Sequence, residues 1–357
     1  MINEKELIKH LTKLVSFRTI EGNLVEQKKC LAYIKEQFSF YPFVIAEYES
    51  NGKPSLVLTT EKTKHPEMFL VAHIDVVPGH DSLFTLKKEG DSIFGRGAFD
   101  MKFAIATYIC VLKEIYQQKK KLPSIGLMFT SEEEIEGNNG AGFLLQKKGY
   151  SCNLAFLPDG GDNWHIVEEE KGILNIKLTV TGKTAHGAMP WIGENAITKL
   201  FAIGAKLQTM YPSSSDTSEV TLNFGKITGG EALNQVAQYA SLLIDIRFAS
   251  KPAEKIVHEI QKAFPDSKIE VFDLLPTFKT AKNNLYIQKW AQLIKAKNKN
   301  NLFIKEHAAS DAPFFSEKNI PVILSKPQGE GSHGENEYII LSSWLEFSKI
   351  FKKFLTS

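Results

Sequence analysis

The chain has 357 residues, 43% hydrophobic and 24% charged, which suits a globular protein with ample core and excludes a disordered one. Its 43 Lys and Arg against 41 Asp and Glu leave a formal charge of +2, too even a balance to steer it onto nucleic acid or an anionic membrane. The longest apolar stretch, Phe103 to Leu112, falls far short of the ~20 residues of a bilayer span, and the length is more than twice that of a typical ~150-residue domain.

In chain order, the start reads as a helix that Asn3 caps, with Leu7, Leu11, Leu14 and Val15 at helical spacing. A second helical pattern runs from about Glu26 to Phe38. Short apolar runs then stop abruptly at polar residues. Met68 to Ala72 ends at His73, Ile125 to Phe129 ends at Thr130 and three glutamates, and Leu154 to Leu157 ends at Pro158-Asp159. Uninterrupted strands of this kind, separated by helix-like stretches such as Phe103 to Tyr116, predict an α/β fold with a mainly parallel sheet buried on both faces. Ligands of such sheets bind beyond the carboxyl ends of the strands.

From about Gly172 to Leu275 the texture changes. Ile173 to Val180 alternates at period two, Ser241 to Phe248 does so more loosely, and helical patterns cover Asn195 to Leu207 and Ala253 to Phe264. This predicts an inserted α+β domain at 173–275, with 1–172 and 276–357 forming one discontinuous domain. Pro321 to Leu324 reads as a further strand, leading to a glycine-rich loop with His333. Ser343 and Glu346 stand at capping-box spacing before a closing amphipathic helix.

Five segments carry acid or imidazole groups at strand ends or in the loops beyond: His73-Ile-Asp75, Asp100, Glu132-Glu-Glu134, Asp159 and His333. Imidazole nitrogen and carboxylate oxygen are donors for zinc and similar metals. Two histidines and three carboxylates suffice for two ions if one carboxylate is shared, a spacing suited to holding a nucleophile and a developing oxyanion. Taken singly, each residue has a plainer reading: a strand-end histidine is usually a surface or hydrogen-bonding residue, and so His10, His65, His80, His165, His258 and His307 are read. Gly329, Gly331 and Gly334 imitate a dinucleotide fingerprint, but too little chain follows for a βαβ unit. No Gly-x-Ser-x-Gly elbow surrounds Ser332.

The segments MFLVAHIDVVPGHDSLF, IFGRGAFDMK, FTSEEEIEG, LPDGG and HAASDAPFF resemble the zinc-dependent exopeptidase and deacylase family that includes acetylornithine deacetylase, succinyl-diaminopimelate desuccinylase, aminoacylase and carboxypeptidase G. KGILNIKLTVTGKTAHGAMPW and GKITGGEALNQVAQYASLLIDIRF extend the resemblance over nearly the whole chain. It implies two zinc ions per chain, with cobalt or manganese as substitutes: His73 and Asp159 on one, Glu134 and His333 on the other, Asp100 bridging. It further implies Glu133 as general base and acid for hydroxide attack on an amide, Asp75 as the carboxylate that orients His73, and a cis peptide bond after Asp100. In the inserted domain, His186 resembles an oxyanion donor that reaches the partner subunit's site, and Asn234 and Arg247 resemble residues gripping a substrate carboxylate. Asp245 shares a strand face with Arg247 and is expected to orient its guanidinium.

The implied activity is cleavage of an N-acylated amino acid or short peptide with a free carboxylate, by a homodimer joined through the inserted domain. The alternative is a metal-binding or scaffolding relative without activity. Glu132, Phe103, Pro313 and the Gln-Val-Ala after Asn234 depart from the family pattern without removing a ligand, and leave the substrate open. The amphipathic MINEKELIKHLTKLV lacks the apolar core of a secretion signal, and three scattered cysteines, Cys30, Cys110 and Cys152, imply no disulfide framework. The expected compartment is therefore the cytoplasm.

Overall fold

A computed structural model describes residues 2–39, 41–135, 137–297 and 302–357. The chain divides into two units. The first comprises residues 1–168, 279–304 and 310–357, and the second comprises 169–278 with 305–309.

The first unit is built on a six-stranded sheet in the order Val44–Ser50, Lys53–Thr59, Ile125–Thr130, Met68–His73, Leu154–Phe156, Val322–Ile323. The last four strands run parallel, and Met68–His73 and Ile125–Thr130 are buried at every residue. Both faces are covered, so these strands need no polar alternation. The two outer strands form an antiparallel hairpin instead. Its strand Val44–Ser50 is half-exposed and carries Glu47 and Glu49 at the edge, charges that discourage further strand pairing.

Helix Glu4–Ser16 is capped by Asn3, whose side chain accepts from Lys5 N–H, and it buries Leu7, Leu11, Leu14 and Val15. Helix Lys102–Lys119 is buried along most of its length, because it lies between the sheet and its neighbours, not at the surface. The closing helix Leu341–Thr356 packs on it: Trp344 Nε1 donates to Thr107 Oγ1 at 2.7 Å. Phe347, Phe351 and Phe354 join Phe156 and Trp290 in an aromatic cluster, with Phe156 4.8 Å from Phe351 and 4.9 Å from Trp290 between ring centroids.

The capping box expected at Ser343 is absent. The helix already begins at Leu341, and the Ser343 hydroxyl accepts from Gln328 N–H at 2.9 Å. The cap comes from a distant turn: Asp91 accepts Leu341 N–H through its carbonyl at 2.8 Å and Ser342 N–H through its carboxylate at 3.1 Å. Nothing local in the sequence signals a cap supplied by a residue so far away in the chain.

The second unit is an antiparallel sheet in the order Thr221–Gly229, Tyr239–Phe248, Gly172–Thr181, Lys268–Leu275. Leu174, Ile176, Leu178 and Val180 alternate inward with Leu242, Ile244 and Ile246, and helices Ala196–Met210 and Ala253–Ala263 cover that face. The period-two pattern of the sequence is thus the core face of this sheet.

Candidate metal centre

The four parallel strands end at one edge of the sheet, and the candidate residues follow from that. His73 is the last residue of its strand, Asp159 stands three residues beyond Phe156, and Glu133 and Glu134 follow Thr130 closely. The turn after Asp159 needs Gly161, at φ 74°, where a Cβ would come within 2.7 Å of the Leu324 carbonyl. Asp100 sits before helix Lys102–Lys119 at a cis peptide bond to Met101.

These side chains form two groups that share Asp100. Ligand atoms of His73, Asp100 and Asp159 lie within 4.8 Å of one another, as do those of Asp100, Glu134 and His333. Asp100 directs a different oxygen to each: Oδ1 lies 3.4 Å from His73 Nε2, and Oδ2 lies 3.4 Å from His333 Nε2. Asp159 Oδ1 is 3.7 Å from His73 Nε2, and Glu134 Oε2 is 2.8 Å from His333 Nε2. Among the described residues, His73 Nε2 is buried without a hydrogen-bond partner. An orphaned imidazole nitrogen aimed between two carboxylates suits a cation better than it suits an apolar core, so the donor set fits metal.

Neighbouring residues hold these groups in place. Glu132 accepts Asn139 N–H at 2.5 Å, Gly140 N–H at 3.1 Å and the Asn139 amide at 2.8 Å. It is the structural member of the triple glutamate and fixes the loop. Glu133 belongs to neither ligand group, and its Oε2 lies 3.8 Å from His73 Nε2. Asp75 meets the other ring nitrogen of His73 as expected, but through its main chain. Its backbone carbonyl, not its carboxylate, takes the His73 Nδ1 contact at 3.0 Å, while Oδ1 stays at 3.6 Å. Its Oδ2 is engaged by Glu134 N–H at 3.0 Å, so the carboxylate links the two segments. His333 has a positive φ of 66°, and Arg96 Nη2 donates to its carbonyl at 3.1 Å.

The electrostatics follow from crowding. Burial pushes the Asp100 carboxyl up, but Lys326, His333 and His73 outweigh it and hold it well below the usual range. Burial and then the charge of Asp159 push Glu133 well above its ordinary value. Burial also raises Glu134 and Asp159. Burial works against the charged form of His73, yet Asp159 and Asp100 hold its pKa well above normal. Hydrogen bonds to Asp100 and Glu134 raise His333 to about 10. Carboxylates and imidazoles here compensate one another as a set.

In the second unit, Arg247 is paired bidentately with Asp245, Nε to Oδ1 at 2.8 Å and Nη2 to Oδ2 at 3.0 Å. His186 and Asn234 are exposed neighbours: His186 bridges to Gln235, and Gly187 N–H donates to the Asn234 carbonyl at 2.7 Å. They lie beyond the Tyr239 end of strand Tyr239–Phe248, where Tyr239 pairs with Thr181. Arg247 lies at the other end, paired with Ile173, roughly 26 Å of strand away.

Sequence reasoning missed Arg96, Glu337 and Lys326. Glu337 accepts backbone N–H groups of Gly97, Phe99 and Asp100, and Arg96 Nη1 donates to it at 2.9 Å. A visible signal was the lysine ending an otherwise uncharged strand run, Pro321 to Lys326. Of the other histidines, His10 is buried with Nδ1 2.7 Å from the Tyr33 hydroxyl.

Comparison with known proteins agrees in fold and sequence. A probable carboxypeptidase of Paracoccidioides lutzii is 29% identical over 218 residues, covering 56% of this chain and 49% of the relative. One of Talaromyces marneffei is 26% identical over 296 residues, covering 75% and 65%. The chain spans about half the length of the first of these and about two thirds of the second. Among solved structures, a tripeptidase of Staphylococcus aureus superposes with a TM-score of 0.83 at 23% identity, over 99% of this chain and 98% of that one. An M20 family metallo-carboxypeptidase of Sulfolobus solfataricus gives 0.79 at 17%, over 98% of each chain. A dinuclear metal binding peptidase of Bacillus subtilis gives 0.68 at 16%, over 99% and 97%. At these identities the structures speak for the α/β fold alone, while the sequence pattern of one family matches residues 69–357, most of the chain. This chain belongs to peptidase family M20/M25/M40.

Proposed function

We propose that the chain is a dinuclear-metal amidohydrolase, a peptidase or deacylase acting on small peptides or N-acylated amino acids with a free carboxylate. The observation that carries this reading is the double presentation of Asp100, one oxygen toward His73 and the other toward His333. His73 and Asp159 would hold one cation, Glu134 and His333 the second, and Asp100 both. Zinc suits this mixed imidazole and carboxylate set, with cobalt and manganese as substitutes. When bound, the metal pair supplies Lewis acidity and brings the pKa of water toward ~7.

The remaining chemistry belongs to side chains of this chain. Glu133 takes a proton from the attacking water and passes it to the departing amine, a role for a carboxylate outside both ligand groups. Asp75 holds His73 through its backbone carbonyl, so that Nε2 faces Asp100, and ties Glu134 to it through its carboxylate. Arg247, oriented by Asp245, grips the substrate carboxylate with Asn234, and His186 donates to the oxyanion. The strand that separates Arg247 from His186 and Asn234 supports a homodimer in which each copy lends one end of its sheet to a different site. Among the described residues no helix is long and apolar enough to cross a membrane, and Cys30, Cys110 and Cys152 are free thiols, which favours a reducing cytoplasm.

A hydrolysis screen over N-acetyl and N-succinyl amino acids, dipeptides and tripeptides, with zinc, cobalt and manganese added separately, tests the reading. Release of amino acid that depends on added metal is expected. A correctly folded, metal-loaded protein that cleaves none of them would instead support a binding relative without activity.

A further inference from the structure

Lys326 follows the buried run Val322 to Ser325 and is itself buried. Its backbone is clamped to the turn that carries Asp159. Lys326 N–H donates to the Gly161 carbonyl at 3.1 Å, and its carbonyl accepts from Trp164 N–H at 3.0 Å. The ammonium lies over the Phe99 ring, 5.0 Å from the centroid. It also lies 3.5 Å from Asp159 Oδ1 and 3.9 Å from Asp100 Oδ1. Those are the same two oxygens that face His73 Nε2. Asp162 stands at 4.0 Å on the outer side. The other group differs: among the described residues, the ion-pair partners of Glu134 and His333 include no lysine or arginine.

We propose that Lys326 makes the two groups unequal in metal affinity, with Asp100, Glu134 and His333 forming the tight site and His73, Asp100 and Asp159 the weak one. The inference rests on the dinuclear reading above. Any cation held by Asp159 Oδ1 and Asp100 Oδ1 shares them with a fixed ammonium, and like-charge repulsion in a buried setting is weakly screened. At low metal concentration the ammonium itself compensates the two adjacent carboxylates, so the weak site need not be filled for the fold to hold. Lys326 is a positioning and charge-setting residue here, acting through its proximity to Asp100 and Asp159.

Titration of the metal-stripped full chain with Co²⁺, followed by calorimetry, tests this. The parent should show two classes of site, and His333→Ala should remove the tighter one. Lys326→Met should tighten the weaker class about tenfold or more and leave the tighter class nearly unchanged, whereas Lys326→Arg should titrate like the parent. If Lys326→Met does not fold by circular dichroism, Lys326→Gln takes its place with the same expectation. Identical weak-class affinities in the parent and the uncharged variant would overturn the role of Lys326. A parent that binds no Co²⁺ at all would overturn the dinuclear reading itself.

Discussion

The Glu337 carboxylate accepts the backbone N–H of Asp100 at 3.0 Å, so the residue common to both candidate groups stands on a buried acid 237 residues away in the chain. The same carboxylate takes Phe99 and Gly97 N–H at 2.9 Å each, and Arg96 at 2.9 Å. Four donors converge on two oxygens, and an amide in their place would confront them with N–H groups of its own. Glu337→Gln should therefore cost about 2–4 kcal/mol in urea denaturation and weaken metal retention on dialysis. Arg96→Met should cost about as much, because it leaves the acid buried and short of its cation. A loss under 1 kcal/mol for both would mean that the network is incidental.

Glu133 is tested by removal. Glu133→Ala should lower turnover of the best substrate by about 10²–10⁴-fold while the protein retains the parent's metal content, measured by elemental analysis. Loss of metal together with activity would reassign Glu133 as a ligand.

The three thiols give a pH dependence of known sign. Burial pushes the thiols of Cys30, Cys110 and Cys152 up from the ordinary 9.0 to about 12 each. Between those values the folded state keeps protons that the unfolded state has lost, so stability must fall as pH rises from about 9 toward 12. Each thiol contributes a slope approaching ~1.4 kcal/mol per pH unit within that window. A variant with alanine at all three positions should show a shallower alkaline loss, and the native parent should resist a thiol reagent at pH 8 that labels it fully in denaturant.

Asp91 caps the closing helix across the chain. Asp91→Ala should destabilise the protein by about 1 kcal/mol in thermal or denaturant unfolding, the usual loss of an acceptor at a helix start. A Ser343 substitution should act through a different bond, the one from Gln328 N–H.

The elements that local pattern determines were legible in the sequence. Leu7, Leu11 and Leu14 mark a helix face, Met68 to Ala72 a strand buried on both sides, and Leu174 to Val180 the inner face of a sheet. The candidate ligands stood out because polar residues abruptly end apolar strands, and the resemblance supplied their pairing. Part of what escaped depends on long-range contacts: the cap from Asp91 and the Glu337 support join segments whose proximity exists only once the chain has folded. The hairpin at Val44 to Thr59 is local, and its signal was the Asn51-Gly52 turn, both residues at positive φ. Asp75 escaped differently: a residue two positions after His73 presents its carbonyl to the ring more easily than its side chain, a matter of backbone path that composition does not record.

The length of strand Tyr239–Phe248 carries one more consequence. If each reaction centre borrows its imidazole from one polypeptide and its guanidinium from the other, two separately dead proteins should rescue each other. Arg247→Ala and His186→Ala chains, unfolded together and refolded as a mixture, would yield hybrids in which one centre has every piece intact. Statistical assembly then restores roughly a quarter of the parental rate, a recovery that independent single-chain catalysts could never produce.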